Sequence, residues 1–302
     1  MARTDDDSWD ITESVGATAL GVAWARSQEA SSQCPLFTDP FAQMFIDAAV
    51  ARGWQPPPPY MAEQIRSVSG YAAARTKWFD EFFIAAGAGG IDQAVVLAAG
   101  LDARPWRLPW NSATTVYEID QPGVLEFKAE TLRGNDVKPA TNYVAVPVDL
   151  RQDWPKALQQ AGFDPSEPTA WAAEGLLPYL PADAQDQLFE RIANLSAAGS
   201  RVAVETFGEG FFDEELFARH REELRRLRDE AGVTNDDEPD VMDLWYIEDR
   251  TDLSEWFTDR GWQVSTIGAG ELMKRYNREA DEDHTPRVVY LEATLTAHSP
   301  DS

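Results

Sequence analysis

Five short apolar runs rich in β-forming residues recur along the middle of the chain: AVVLAA at 94–99, TTVYEI at 114–119, NYVAVPV at 142–148, TAWAAE at 169–174 and RVAVETF at 201–207. Helical segments separate them, such as AQDQLFERIANL at 184–195, where Leu188, Ile192 and Leu195 recur at helical spacing. Strands that alternate with helices pair in parallel, because each crossover returns the chain to the same end of the sheet, and the helices cover both faces. This rhythm predicts an α/β fold on a mostly parallel sheet. GWQVSTI at 261–267 and RVVYLEATLTA at 287–297 bring the strands to seven, and GAGELMKRYNREADEDHTP between them reads as a charged loop. The last pair is therefore expected to close the sheet edge as an antiparallel hairpin.

The N-terminal third differs in kind. SVGATALGVAWARSQEA and GYAAARTKWFDEFFIAAG read as helices, and Tyr71, Arg75, Trp78, Phe79 and Phe82 are spaced so that several share one face. GWQPPPPYM between them cannot continue a helix, since each proline lacks an amide donor. Residues 1–90 are thus expected to form a helical cap, and residues 91–302 an α/β core with a helical insertion around 208–250, all in one structural domain.

Composition excludes several partners. Against 26 basic residues stand 52 acidic ones, a formal charge of -26 that repels nucleic-acid backbones and anionic membranes. No stretch reaches the roughly eighteen apolar residues of a membrane span, and MARTDDDSWD lacks the basic and apolar regions of a signal peptide, so a cytoplasmic protein is expected. Cys34 is the single cysteine, which rules out an internal disulfide and a cysteine-based metal site. It also has no evident activating partner. The acidic run at 230–243 lacks the ligand alternation and glycine of a calcium loop and reads as solvated. No metal site is expected, and a monomer is favoured.

The loop after the first strand, within VVLAAGLDARPW, is where an open α/β sheet meets its ligand. Gly100 permits close backbone approach. The dinucleotide pattern is incomplete, with Ala98, Gly100 and Ala103 at its three glycine positions, and no P-loop occurs. The second strand ends in YEIDQP, so Asp120 follows Gly100 by twenty residues, where a carboxylate accepts from both ribose hydroxyls. Glu118 lies on the same face, deeper. The third strand ends in VDL, where Asp149 and the Leu150 amide suit an adenine edge. Together these strand ends describe a nucleoside site without a phosphate site.

TALGVAWAR with LFTDPFA, GYAAARTKWFDEFF, VVLAAGLDARPWRLPW, VYEIDQP, VPVDLRQDW and AEGLLPYLP together resemble the S-adenosylmethionine-dependent methyltransferases similar to leucine carboxyl methyltransferase, in the branch of uncharacterised actinobacterial members. The resemblance covers most of the chain. It implies a Rossmann-like class I methyltransferase sheet and S-adenosyl-L-methionine as cofactor. It assigns Asp120 to the ribose, Asp149 and Leu150 to the adenine, and Arg75 to the methionine carboxylate. It sets Glu174 at the end of the fourth strand, facing the cofactor. One departure is that the loop begins Ala98-Ala99-Gly100 where the family usually has G-A-G, which sets Ala98 beside Gly100 in the cofactor loop with a methyl group that weakens close approach.

The implied chemistry is methyl transfer to an oxygen by in-line displacement, with alignment in a water-poor cleft as the enzyme's main contribution. A carboxylate acceptor needs no base, whereas a hydroxyl acceptor does. His220, His284 and His298 read as surface residues, and Tyr179 is the better candidate for touching a small-molecule or carboxylate-bearing substrate. Phe211, Phe212, Phe217, Trp245 and Tyr246 suit either an apolar acceptor or a packed lid. Two other readings compete: a non-catalytic nucleoside-binding protein and a nicotinamide-dependent oxidoreductase.

Overall fold

The computed structural model describes residues 14–58, 62–230, 241–279 and 285–296. Seven strands form one sheet: β1 (Gln93–Leu97), β2 (Thr115–Asp120), β3 (Asn142–Pro147), β4 (Thr169–Ala173), β5 (Arg201–Phe207), β6 (Trp262–Gly268) and β7 (Val288–Leu295). Their spatial order is β3-β2-β1-β4-β5-β7-β6. The first five pair in parallel, whereas β7 runs antiparallel to both β5 and β6, so β6 again points with the first five. The order reverses between β1 and β4, and there the loops leaving the strand ends diverge to opposite faces and open a crevice.

The helices are α1 (Ser14–Glu29), α2 (Ala42–Ala51), α3 (Ala62–Ala88), α4 (Arg104–Arg107), α5 (Pro122–Gly134), α6 (Trp154–Gln160), α7 (Ala182–Asn194), α8 (Glu214–Glu230), α9 (Leu253–Asp259) and α10 (Ala269–Arg275). The stretch expected to be a plain loop between the last two strands therefore contains α10. It is only seven residues long, and it forms because Leu272 and Met273 bury against the aromatic face of α3 rather than through any long periodic pattern. None of the described helices is long and apolar enough to cross a membrane.

Side chains alternate across the sheet. Val95, Leu97, Ile119, Trp171 and Val204 pack with Trp154, Phe189 and Phe257 of α6, α7 and α9. On the other face small residues, Ala94, Ala170, Ala172 and Ala203, leave room for Trp78, Phe79, Phe82 and Phe83 of α3, which lies flat on the strands. A smaller cluster, including Leu20, Phe45 and Phe127, joins α1 and α2 to α5 beside the loop after β1.

The end of β2 is anchored from below. Glu118 and Lys128 of α5 are fully buried, with Lys128 Nζ donating to Glu118 Oε2 at 2.6 Å and Tyr143 Oη donating to the same oxygen at 2.8 Å. Burial pushes the Glu118 carboxyl up to about 7, against the opposing pull of Lys128. Lys128→Ala should cost ~3–5 kcal/mol, because a buried carboxylate loses its cation. Its pKa then rises further. A carboxyl raised in the folded state loses its stabilisation as pH climbs through that value, so the deficit should grow above about pH 7. Urea unfolding across pH checks this, and Glu118→Gln with Lys128→Met should recover most of the loss.

Candidate active site

A cleft of about 440 Å³ opens at the C-terminal ends of β1, β2, β4 and β5, and Thr18, Ala19 and Val22 of α1 close one side. The loop after β1 forms its floor. Ala98 and Gly100 both take φ of +49°, so the departure noted at Ala98 puts a methyl group on a left-handed residue that glycine would occupy without strain. Asp120 braces this loop: Oδ2 accepts from the Gly100 amide at 2.6 Å and Oδ1 from the Gln121 amide at 2.6 Å. Burial raises its pKa, while these amides pull it back. At the end of β3, Asp149 Oδ1 accepts from the Arg151 amide at 2.8 Å and Oδ2 from the Arg151 guanidinium at 2.6 Å. Those bonds outweigh burial and lower its pKa. Asp149 and Leu150 line the same cleft as Ala98, Gly100 and Asp120.

On the far side of the loop lies a continuous ionic network. Arg104 reaches Asp80 Oδ1 of α3 at 2.8 Å, Asp102 Oδ2 at 2.5 Å and Glu174 Oε2 at 2.8 Å. Arg75 Nε donates to Glu174 Oε1 at 2.8 Å, and its Nη1 lies 3.3 Å from Glu205 Oε2 of β5. Arg107 pairs with Asp80 at 2.5 Å and approaches Asp39, which Arg26 holds at 2.8 Å. Arg26 Nη2 also donates to the Leu101 carbonyl at 2.6 Å, fastening α1 to the loop. Glu205 in turn accepts from Tyr71 Oη and from the Gly175 amide. Gly175 sits at φ +63°, and a Cβ there would come within 3.0 Å of Arg75 Nη2, so glycine keeps that guanidinium edge clear.

The structure thus brings Arg75, Ala98, Gly100, Asp120, Asp149, Leu150, Glu174 and Tyr179 around one cleft. Tyr179 lies on a 3-10 turn, Leu177–Tyr179, just past Glu174. Sequence reasoning noted the acid at Asp102 without assigning it a role and missed Arg104, Asp80, Arg107, Arg26, Asp39 and Glu205. A signal was present for some of them, since LDARPWR sets an acid and two arginines directly after the first strand. His220 belongs to α8, whereas His284, His298 and residues 231–240 of the acidic run lie outside the described residues. Among the described residues no cluster suits a metal ion.

The family described as leucine carboxyl methyltransferase matches residues 19–193, a stretch that includes Arg75, the loop after β1, both strand-end aspartates and Glu174. The chain belongs to that family. A Mycobacterium avium (strain 104) relative, named as an S-adenosyl-L-methionine-dependent methyltransferase, is 55% identical over 97% of this chain and 98% of its own. A Mycobacterium tuberculosis (strain ATCC 25177 / H37Ra) protein with the same name is 52% identical over 97% and 98%. Two solved structures share this methyltransferase's fold. One is titled a methyltransferase, from Thermobifida fusca YX, with TM-score 0.53, 17% identity and coverage of 91% and 94% of the two chains. The other is a DUF574 family protein from Streptomyces avermitilis MA-4680, with TM-score 0.51, 13% identity and coverage of 90% and 96%. Family membership removes the oxidoreductase reading.

Arg104 and Arg75 hold Glu174 down at about 2, below the ordinary 4.5, even though burial pushes the other way. The folded value lies below the unfolded one, so this stabilisation is present above about pH 4.5 and is lost as pH falls through about 2. On the order of 3 kcal/mol should disappear across that window. Glu174→Gln should be less stable at neutral pH and should lack this part of the acid limb. Denaturant unfolding through the window tests it, and identical pH dependence in parent and variant would contradict it.

Proposed function

We propose that this methyltransferase esterifies a carboxylate acceptor, with the cofactor spread along the strand ends from Asp149 to Arg75. The cofactor is S-adenosyl-L-methionine. When bound, it supplies an electrophilic methyl group on a sulfonium. The observation that carries the reading is the single cleft shared by Asp120, Asp149, Glu174 and Arg75. Asp120 would accept from the ribose hydroxyls, and Asp149 with the Leu150 amide would pair with the adenine edge. Arg75 would add the methionine carboxylate to its two glutamates, through the guanidinium edge beside Gly175. Glu174 would face the amino-acid end, and Ala98 and Gly100 would form the backbone beneath it.

The donor set fits this group. Four guanidiniums, from Arg26, Arg75, Arg104 and Arg107, are interleaved with five carboxylates, from Asp39, Asp80, Asp102, Glu174 and Glu205. The network is therefore net anionic despite its arginines and suits a ligand of net positive charge. The loop after β1 offers no phosphate cradle, consistent with a nucleoside joined to an amino acid.

A carboxylate acceptor is already a nucleophile at neutral pH, so the chain's contribution is orientation and exclusion of water. The family's own description supports that acceptor class. A second reading, a hydroxyl acceptor, is favoured by one observation: Tyr71, hydrogen-bonded to Glu205, lines the same cleft and offers a path for a departing proton.

The two readings separate on the product. With methyl-labelled cofactor, a carboxyl ester releases labelled methanol in mild alkali, whereas an ether keeps its label. On the carboxylate reading Tyr71→Phe should leave kcat within a few-fold, while a lost proton acceptor should cost roughly 10²- to 10⁴-fold. Asp120→Ala should weaken S-adenosyl-L-methionine binding about ten- to a hundredfold, the loss of one charge-assisted contact of roughly 1.5–3 kcal/mol. Asp149→Asn should be milder. Calorimetric titration checks both, and unchanged affinity in a folded Asp120→Ala protein would refute the ribose assignment.

A further inference from the structure

Beyond Arg75 and Glu174 the cleft changes character. Its far half is lined by Phe207, Phe211, Trp245, Pro286 and Val288, with Tyr179 on the facing turn. The rings form one packed wall. Phe207 meets Phe211 and Phe212 with centroids 4.8 Å away in each case, and Phe211 stacks on Trp245 at 5.5 Å with an interplanar angle of 27°. Arg250 backs this wall, its guanidinium carbon 4.9 Å from the Phe207 centroid and 5.8 Å from that of Phe212. The same guanidinium donates to the Leu180 carbonyl at 2.6 Å and the Tyr246 carbonyl at 2.8 Å, while the Tyr246 amide donates to the Pro178 carbonyl at 2.9 Å. The segment carrying Trp245 is thereby tied to the turn carrying Tyr179, and the wall is set before a ligand arrives.

We propose that this wall is a subsite for a flat aromatic ring, so that the acceptors are small aryl carboxylic acids. The carboxylate part of this statement rests on the functional reading above; the ring part does not. Three features point to a ring. The lining is fixed and ring-rich, which favours edge and face contacts over an alkyl chain of equal area by roughly two- to tenfold. The polar groups beside the wall are few, namely the hydroxyls of Thr206 and Tyr179, the unpaired Trp245 Nε1–H and, at its inner end, Glu205 with the Tyr71 hydroxyl, too few to satisfy the backbone of a peptide segment. The cleft, about 440 Å³, is of the size of small-ligand sites and must also take the cofactor, which suits a compact acceptor.

The test uses the full chain saturated with S-adenosylhomocysteine and titrated calorimetrically with phenylacetate, hexanoate and phenethyl alcohol. Phenylacetate should bind about fivefold or more tighter than hexanoate, whose alkyl chain has about the same apolar area as the benzyl group. That preference should persist in Trp245→Phe and vanish in Trp245→Leu, with S-adenosylhomocysteine affinity equal in all three proteins. Hexanoate binding as tightly as phenylacetate to the parent, no saturable binding of either ring compound, or a preference that survives Trp245→Leu would overturn the proposal. Phenethyl alcohol binding where phenylacetate does not would leave the ring subsite standing and overturn the carboxylate reading instead.

Discussion

The guanidinium of Arg104 ties together three parts of the chain that must meet for the cleft to exist. Its carboxylate partners come from α3, from the loop after β1 and from the residue after β4, and it is only 3% exposed. A charge so deeply buried is tolerable only when every partner is in place, since a single missing member leaves an unpaired ion in a low-dielectric interior. The network is therefore cooperative. It makes docking of α3 on the sheet inseparable from the positions of Glu174 and of the loop above Asp120. Arg26, bound to Asp39 and the Leu101 carbonyl, extends the same logic to α1.

How much of this was legible follows from the range of each interaction. The strands were readable because sheets buried on both faces leave continuous apolar runs, and β1, β4 and most of β5 are buried throughout. Asp120 and Asp149 were readable because strand-end spacing is local. For Arg104 only the pairing with Asp102, two residues before it, had a local signal; its other partners lie 24 and 70 residues away, and Asp80 stands in a helix where a lone acid reads as a solvated charge. Glu205 was hidden in the same way, as one acid in an apolar strand. The missed α10 is held by Leu272 and Met273 against α3, a tertiary effect with no long periodic signature. Ala98 was noticed as an unusual residue, but its left-handed backbone angle had no signal in the sequence.

The cleft divides into a charged half and an apolar half, and the division matters for an anionic acceptor. The formal charge of -26 repels such a molecule at a distance, yet ions screen that field within about 8 Å at physiological salt. Inside the cleft the local arrangement governs, and there the positive charge of the bound cofactor would offset the one surplus carboxylate of the ionic network. A ligand seated against the aromatic wall would displace water beside the arginines and glutamates and so strengthen their fields. Arg250 binds wall and turn together, so that the proposed acceptor side is braced by hydrogen bonds of its own. Two neighbouring anchors of different chemistry thus suit two reactants of different chemistry.

A crystal structure with S-adenosylhomocysteine bound is the most direct measurement. The expected result has the ribose hydroxyls on Asp120, the adenine edge at Asp149 and the Leu150 amide, and the amino-acid carboxylate on Arg75, with the Arg104 to Glu174 ion pair intact. A nucleoside seated away from Asp120, or a bound state in which Arg104 has released Glu174, would contradict it.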